Sequence, residues 1–173
     1  MDAPCCLPGR HNYTVHAGAP FPLGANQTTA ADSATANITN NTFNFTNGGT
    51  GLNLAAAGTS TLGLQSNNIS FANVAGNGML FALSKASQTQ LISNTITNAI
   101  DGIDLNLVGA NSKFQIDGNQ IGATTHGIFF SNVTPSMTLT GTVNNVITGA
   151  ATPFFVPANS STGQIIVNGV SRP

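Results

Sequence analysis

The chain has no glutamate and no tryptophan, and its only ionised groups are five aspartates, four cations and three histidines. Charged residues make up 5% of it, where a soluble domain usually carries about 25%. That scarcity excludes several classes of function. The formal net charge is −1 and the cations Arg10, Lys85, Lys113 and Arg172 are scattered. No basic patch exists to track a phosphate backbone, so no nucleic-acid partner is expected. Nor is there a cationic surface to meet an anionic membrane. No apolar run approaches the roughly 18 residues of a membrane helix, so no membrane insertion is expected. The N-terminus lacks a basic stretch followed by an apolar one, and no signal peptide is read there. The two cysteines, Cys5 and Cys6, are adjacent. They have neither metal-ligand nor CxxC spacing, and are read as free or intermolecular thiols on a leader.

Asn, Thr, Ser, Gly and Ala fill the space that charge leaves. Apolar residues are 40% of 173, enough for the core of one domain. Low charge with modest hydrophobicity can mean disorder. Here the apolar residues are regularly spaced, which argues for a folded chain.

The spacing is a repeat. An apolar residue, two free positions, Asn, one free position and a second apolar residue recur as Ile38-x-x-Asn41-x-Phe43, Leu64-x-x-Asn67-x-Ile69, Leu91-x-x-Asn94-x-Ile96 and Ile116-x-x-Asn119-x-Ile121. A degenerate copy has Asn145-x-Ile147, with Thr142 in the first apolar place, and a last copy reads Ile165-x-x-Asn168-x-Val170. The asparagines are 26, 27, 25, 26 and 23 residues apart. A second element follows in phase: Gly51-Leu52-Asn53-Leu54, Gly78-Met79-Leu80-Phe81, Gly102-Ile103-Asp104-Leu105 and Gly127-Ile128-Phe129-Phe130, with Pro153 in place of the glycine before Phe154-Phe155-Val156.

Periods of this length indicate stacked repeats. Apolar residues alternate with period 2 over short segments bounded by Gly, Asn, Ser or Thr, and that is a strand pattern rather than a helical one. Each repeat therefore reads as a coil of two or three short strands. Such coils bury their apolar faces only by stacking, each strand parallel to its copy about 4.8 Å away. The expected fold is all-β: a single-stranded parallel β-helix of five to six coils, 23–27 residues each. Residues 1–35 are expected to form a leader or N-terminal cap. Residues 36–173 form the β-helix domain, a fragment or an assembling subunit whose open end a partner would cover.

On these N-x-Φ and G-Φ-x-Φ elements, over about 36–170, the chain resembles the right-handed parallel β-helix repeat family, the pectin-lyase-like solenoids. The resemblance implies a right-handed coil. It says little of function, because that fold carries lyases, hydrolases, adhesins and tailspikes. Hydrolases of the family carry paired aspartates and a Gly-His-Gly, of which this chain offers only Thr125-His126-Gly127. The repeat region has no arginine to act as a lyase base.

Stacking generates columns. Asn41, Asn67, Asn94, Asn119, Asn145 and Asn168 are expected to form a structural amide ladder that satisfies backbone groups at a bend. The glycines would relieve crowding or supply positive φ. A second column holds Thr50, Asn77, Asp101, His126 and Thr152, which places Asp101 beside His126. A carboxylate can orient an imidazole as a base, but a solvated ion pair is the commoner outcome of such a contact. No serine is placed to complete a triad, although Ser131 is near in sequence. A third column reads Asn53, Leu80, Asp104, Phe129 and Phe155. Alternation turns it outward, so Leu80, Phe129 and Phe155 are expected to make an exposed apolar stripe for binding or self-association, unless a loop covers them. Asp104 is expected outside, solvated or sharing a weak calcium with Asp101; no other cofactor is expected. The eight N-x-S/T sequons are read as products of composition.

Three functions follow. The favoured one is a non-enzymatic secreted or cell-surface protein, an adhesin-like passenger, stalk or self-assembling rod that binds itself or another surface protein. The others are a carbohydrate-active enzyme using Asp101, Asp104 and His126, and a polysaccharide-binding module with Phe129 and Phe155 as stacking platforms.

Overall fold

A computed structural model describes residues 11–15, 33–46, 49–56, 58–131, 138–140, 144–155, 165–167 and 170–172, with side chains over 35–46, 49–55, 58–131 and 144–155. The described chain is all-β. Its strands stack in parallel as a β-solenoid of about four turns. The first face contains β2 (Ser33–Thr39), β5 (Thr59–Gln65), β8 (Ser87–Ile92), β10 (Lys113–Asp117), β12 (Thr138–Thr140) and β15 (Ile165–Val167), with β1 (His11–Val15) beside β2 at one edge and β16 (Val170–Arg172) beside β15 at the other. The second face stacks β3 (Thr42–Phe45), β6 (Asn68–Phe71), the first part of β9 (Thr95–Val108), the first part of β11 (Gln120–Phe129) and β13 (Val146–Thr148). On the third, β4 (Thr50–Ala56), β7 (Asn77–Leu83), the later parts of β9 and β11, and β14 (Thr152–Phe155) lie in register.

The coil count falls short of the five to six read from the repeat. The sixth N-x-Φ copy is not a further coil, because its flanking strands run antiparallel, with Val167 opposite Val170. Asn168 itself, like Cys5 and Cys6, lies outside the described residues.

Alternation sets the core. In β5 the residues Ser60, Leu62 and Leu64 turn inward and Thr59, Thr61 and Gln65 outward. In-register columns such as Leu64–Leu91–Ile116 and Ile69–Ile96–Ile121 are buried throughout. So is the third-face column Leu52–Met79–Ile103–Ile128. Each such side chain contributes roughly 1.5–3 kcal/mol of transfer free energy. Aromatic rings add to the core: Phe45 stacks on its in-register neighbour Phe71 at 5.2 Å, and Phe81 of the third face meets Phe114 of the first edge-on at 5.7 Å.

The corner between the first and second faces takes two residues, and the first of them bends left-handed: Asn40, Ser66, Ser93 and Gly118 have φ of 58°, 54°, 54° and 64°. The second is the ladder asparagine. At this bend its N–H donates to the Oδ1 of the asparagine one coil on: Asn41 to Asn67 (3.1 Å), Asn67 to Asn94 (3.0 Å), Asn94 to Asn119 (2.9 Å) and Asn119 to Asn145 (3.0 Å). The same Oδ1 atoms accept the preceding asparagine's Nδ2. Each Nδ2 from Asn67 onward also donates backwards to a strand-end carbonyl, of Ile38, Leu64, Leu91 and Ile116 in turn. The amide offers two N–H donors and a separate carbonyl acceptor without charge, where a serine or threonine hydroxyl has a single proton to give. Aspartates here would place like charges on neighbouring coils in a dry interior.

The glycine column has a different cause. At Gly51, Gly78, Gly102 and Gly127 a Cβ would strike the Cγ2 methyl of an isoleucine in the following coil, and also a backbone carbonyl there, 2.5 Å away for three of them and 2.6 Å for Gly78. Crowding, not positive φ, requires glycine at these four positions.

Three substitutions test these assignments by the urea unfolding midpoint. Asn94→Ala leaves the buried Asn67 N–H without its acceptor and is expected to cost about 1–3 kcal/mol. Gly102→Ala is expected to cost about 1–3 kcal/mol through overpacking. At Gly63 an added Cβ meets only the end of the Asn37 side chain, so Gly63→Ala should stay within about 0.5 kcal/mol of the parent. Equal effects at Gly63 and Gly102 would contradict the crowding argument.

Candidate functional site

The outer side of the third face gathers the polar and aromatic residues with chemical potential. Register puts Thr50, Asn77, Asp101, His126 and Thr152 in one column, and Asn53, Leu80, Asp104, Phe129 and Phe155 in the next. Asp101 and His126 therefore sit on adjacent strands. The His126 Nδ1–H donates to Asp101 Oδ1 at 2.6 Å, with 19% and 16% of the two side chains exposed. A carboxylate on Nδ1 fixes the imidazole's tautomer and orientation. The ring does not stand free. It lies flat against Phe129 at 4.4 Å and leans on Phe155 at 4.9 Å, and the two phenyl rings are 5.5 Å apart.

Asp104 departs from the solvated position that alternation suggested. Its side chain does leave the core, since Ile103 and Leu105 on either side are fully buried, yet Asp104 itself is only 7% exposed. Neighbouring coils cover it. Asn77 Nδ2 donates to its Oδ2 at 3.0 Å and Ser131 Oγ to its Oδ1 at 2.7 Å. The carboxyl thus brackets three successive coils. Burial raises its pKa; the Ser131 hydrogen bond opposes that rise, nearby Asp101 adds to it, and Asn77 and His126 oppose it. Ser131 serves this carboxylate and does not contact His126 as a nucleophile would. Its single proton goes to Asp104 rather than to Asn106 Oδ1, which is 3.3 Å away.

Leu80, Phe129 and Phe155 are half-buried, not the freely exposed stripe expected of outward residues. For Phe129 and Phe155 the reason lies in their stacking on each other and on His126. The large apolar side chains most exposed among the described residues are Val74, Ile100 and Val146, away from this column. The partners Asn77, Ser131 and Asn106 were not legible in the columns. Asn77 reaches Asp104 diagonally across coils, and Asn106 is an extra residue where the pairing of β7 with β9 slips between Phe81/Leu105 and Ala82/Leu107.

Among the described residues no group of three His, Cys, Asp or Glu is placed to hold a metal ion. A cation at Asp104 would compete with the Asn77 and Ser131 hydrogen bonds. No helix among the described residues is long and apolar enough to cross a membrane. No known family model, curated protein or solved structure matches this chain. The fold is accordingly assigned from strand order and register alone.

The raised Asp104 pKa fixes a sign. The native state holds this proton more tightly than the unfolded chain does. Its contribution to stability is therefore full below the ordinary carboxyl value of 3.8 and is lost as pH rises through the raised value. Asp104→Asn cannot ionise, so its stability relative to the parent should grow as pH goes from about 3 to about 7. Denaturant unfolding of both proteins across that range checks this. A difference that stays flat or shrinks with pH would mean that burial does not govern the site.

Proposed function

We propose that this chain is a non-enzymatic pectin-lyase-like β-helix, secreted or displayed at a cell surface, that acts through its lateral surface as an adhesin-like passenger, stalk or self-assembling rod. One observation carries the reading: the groups an enzyme would use are occupied with each other. Asp101 holds His126, Asp104 is held by Asn77 and Ser131, and the His126 ring packs on two phenylalanines. These are coil-to-coil brackets. The low charge and the Asn/Thr/Ser surface suit neutral contacts with a second copy, another surface protein or a polysaccharide. Phe129 and Phe155 make poor sugar platforms, because each presents its ring to a neighbouring ring.

A carbohydrate-active enzyme remains the second reading, and the Asp104 environment is what favours it. A carboxyl of raised pKa beside an imidazole–carboxylate pair is the arrangement from which acid and base roles are drawn. The two readings separate in one experiment. The chain is incubated with neutral and uronate polysaccharides, and both retention on the polymer and release of new chain ends are measured. The proposal expects no release of ends, and self-association or retention that the uncharged substitution Leu80→Asn weakens in a protein that still unfolds cooperatively. Release of chain ends that disappears in Asp101→Ala would overturn it.

A further inference from the structure

We infer that Pro153 closes the C-terminal end of the third face against any further coil, including the first coil of a second copy of this chain. The argument is steric and comes from the four coils before it. In each, the glycine of the G-Φ-x-Φ element points its missing Cβ toward the following coil. The space is taken by an isoleucine methyl from Ile69, Ile96, Ile121 or Ile147 and by a carbonyl of the next residue in the glycine column. The last of those carbonyls belongs to Pro153 itself, 2.5 Å from a Cβ built on Gly127. Pro153 is next in this column, because Thr152 pairs with His126 and Phe154 with Ile128.

Pro153 therefore carries a Cβ and a ring where every earlier coil must carry none. A coil stacked on it in the same register would bring a branched side chain and a carbonyl onto those atoms. A second copy would be worse placed than an internal repeat. Among the described residues, the earliest in the isoleucine column is Phe43, which is in register with Ile69, and the earliest glycine carbonyl is that of Gly51. The chain's own course agrees. Pro153 is exposed, and among the described residues β14 pairs only with β11. Beyond it the sequence returns to the first face as β15 and then reverses direction in β16. End-to-end growth is thus blocked where an uncapped parallel edge would otherwise invite it, and association is directed to the lateral faces.

The test uses the full chain as the parent, Pro153→Ala and Pro153→Gly, each first shown to unfold with the parent's midpoint, and reads self-association by sedimentation equilibrium. The alanine keeps the Cβ and the glycine removes it. Lateral association is common to all three. The inference expects Pro153→Gly to self-associate at least about tenfold more tightly than either other protein, a difference of about 1.4 kcal/mol. It is overturned if the parent or Pro153→Ala associates as tightly as Pro153→Gly, including the case in which none of the three associates. Neither outcome touches the lateral surface on which the proposed function rests.

Discussion

The structure depends on one hydrogen bond repeated along an axis: a backbone N–H at a two-residue corner, donated to the side-chain carbonyl of an asparagine in the next coil. Parallel strands satisfy one another's backbone along the faces, but a sharp corner breaks that pattern. An N–H left alone inside a protein costs about 1–3 kcal/mol. Paid at each corner, that cost would be comparable to the whole stability of a domain. The asparagine removes it and returns a second bond to the strand that ends at the corner. The left-handed residue before Asn41, Asn67, Asn94 and Asn119 is tolerable because the ladder fixes the turn around it. Ser66 and Ser93 hold this conformation without being glycine, which shows how strongly the ladder sets the backbone.

Three other constraints follow from coil-on-coil contact. Isoleucines fill the interior so closely that the facing position has no room for a Cβ, hence the glycine column. Outward side chains meet their own copies one coil away, so like charges would repel along the whole rod, and a surface of Asn, Thr, Ser and Gln avoids this. Two of the carboxyl groups are held across coils: Asp101 accepts from His126, and Asp104 accepts from Asn77 and Ser131. Low charge is a consequence of the stacking as much as a feature of the surface.

What could be read from the sequence was whatever the period preserves. The ladder from Asn41 to Asn145, the glycine column and the pairing of Asp101 with His126 all lie along the axis, one repeat apart, and counting residues finds them. What could not be read lies across the axis or depends on what covers a residue. Alternation told that Asp104 leaves the core, but not that Asn77 and Ser131 reach over it from the coils on either side. The inserted Asn106 shifts the register locally, and no motif marks it. Phe129 and Phe155 were correctly placed in one column, yet their exposure depended on stacking with His126 from another. The sixth N-x-Φ copy misled because the motif records a corner, not the direction of the strand after it.

Amide hydrogen exchange at the ladder tests the central claim most directly. The backbone N–H groups of Asn67, Asn94 and Asn119 have only side-chain carbonyls as acceptors at the corner. If the ladder holds the solenoid together, they should exchange as slowly as the amides of the buried strand residues Leu91, Ile96 and Ile121, through global opening. Exchange at the rate of exposed turn amides, with the strands still protected, would show that the corners open on their own and that the asparagine column is not what the stack depends on.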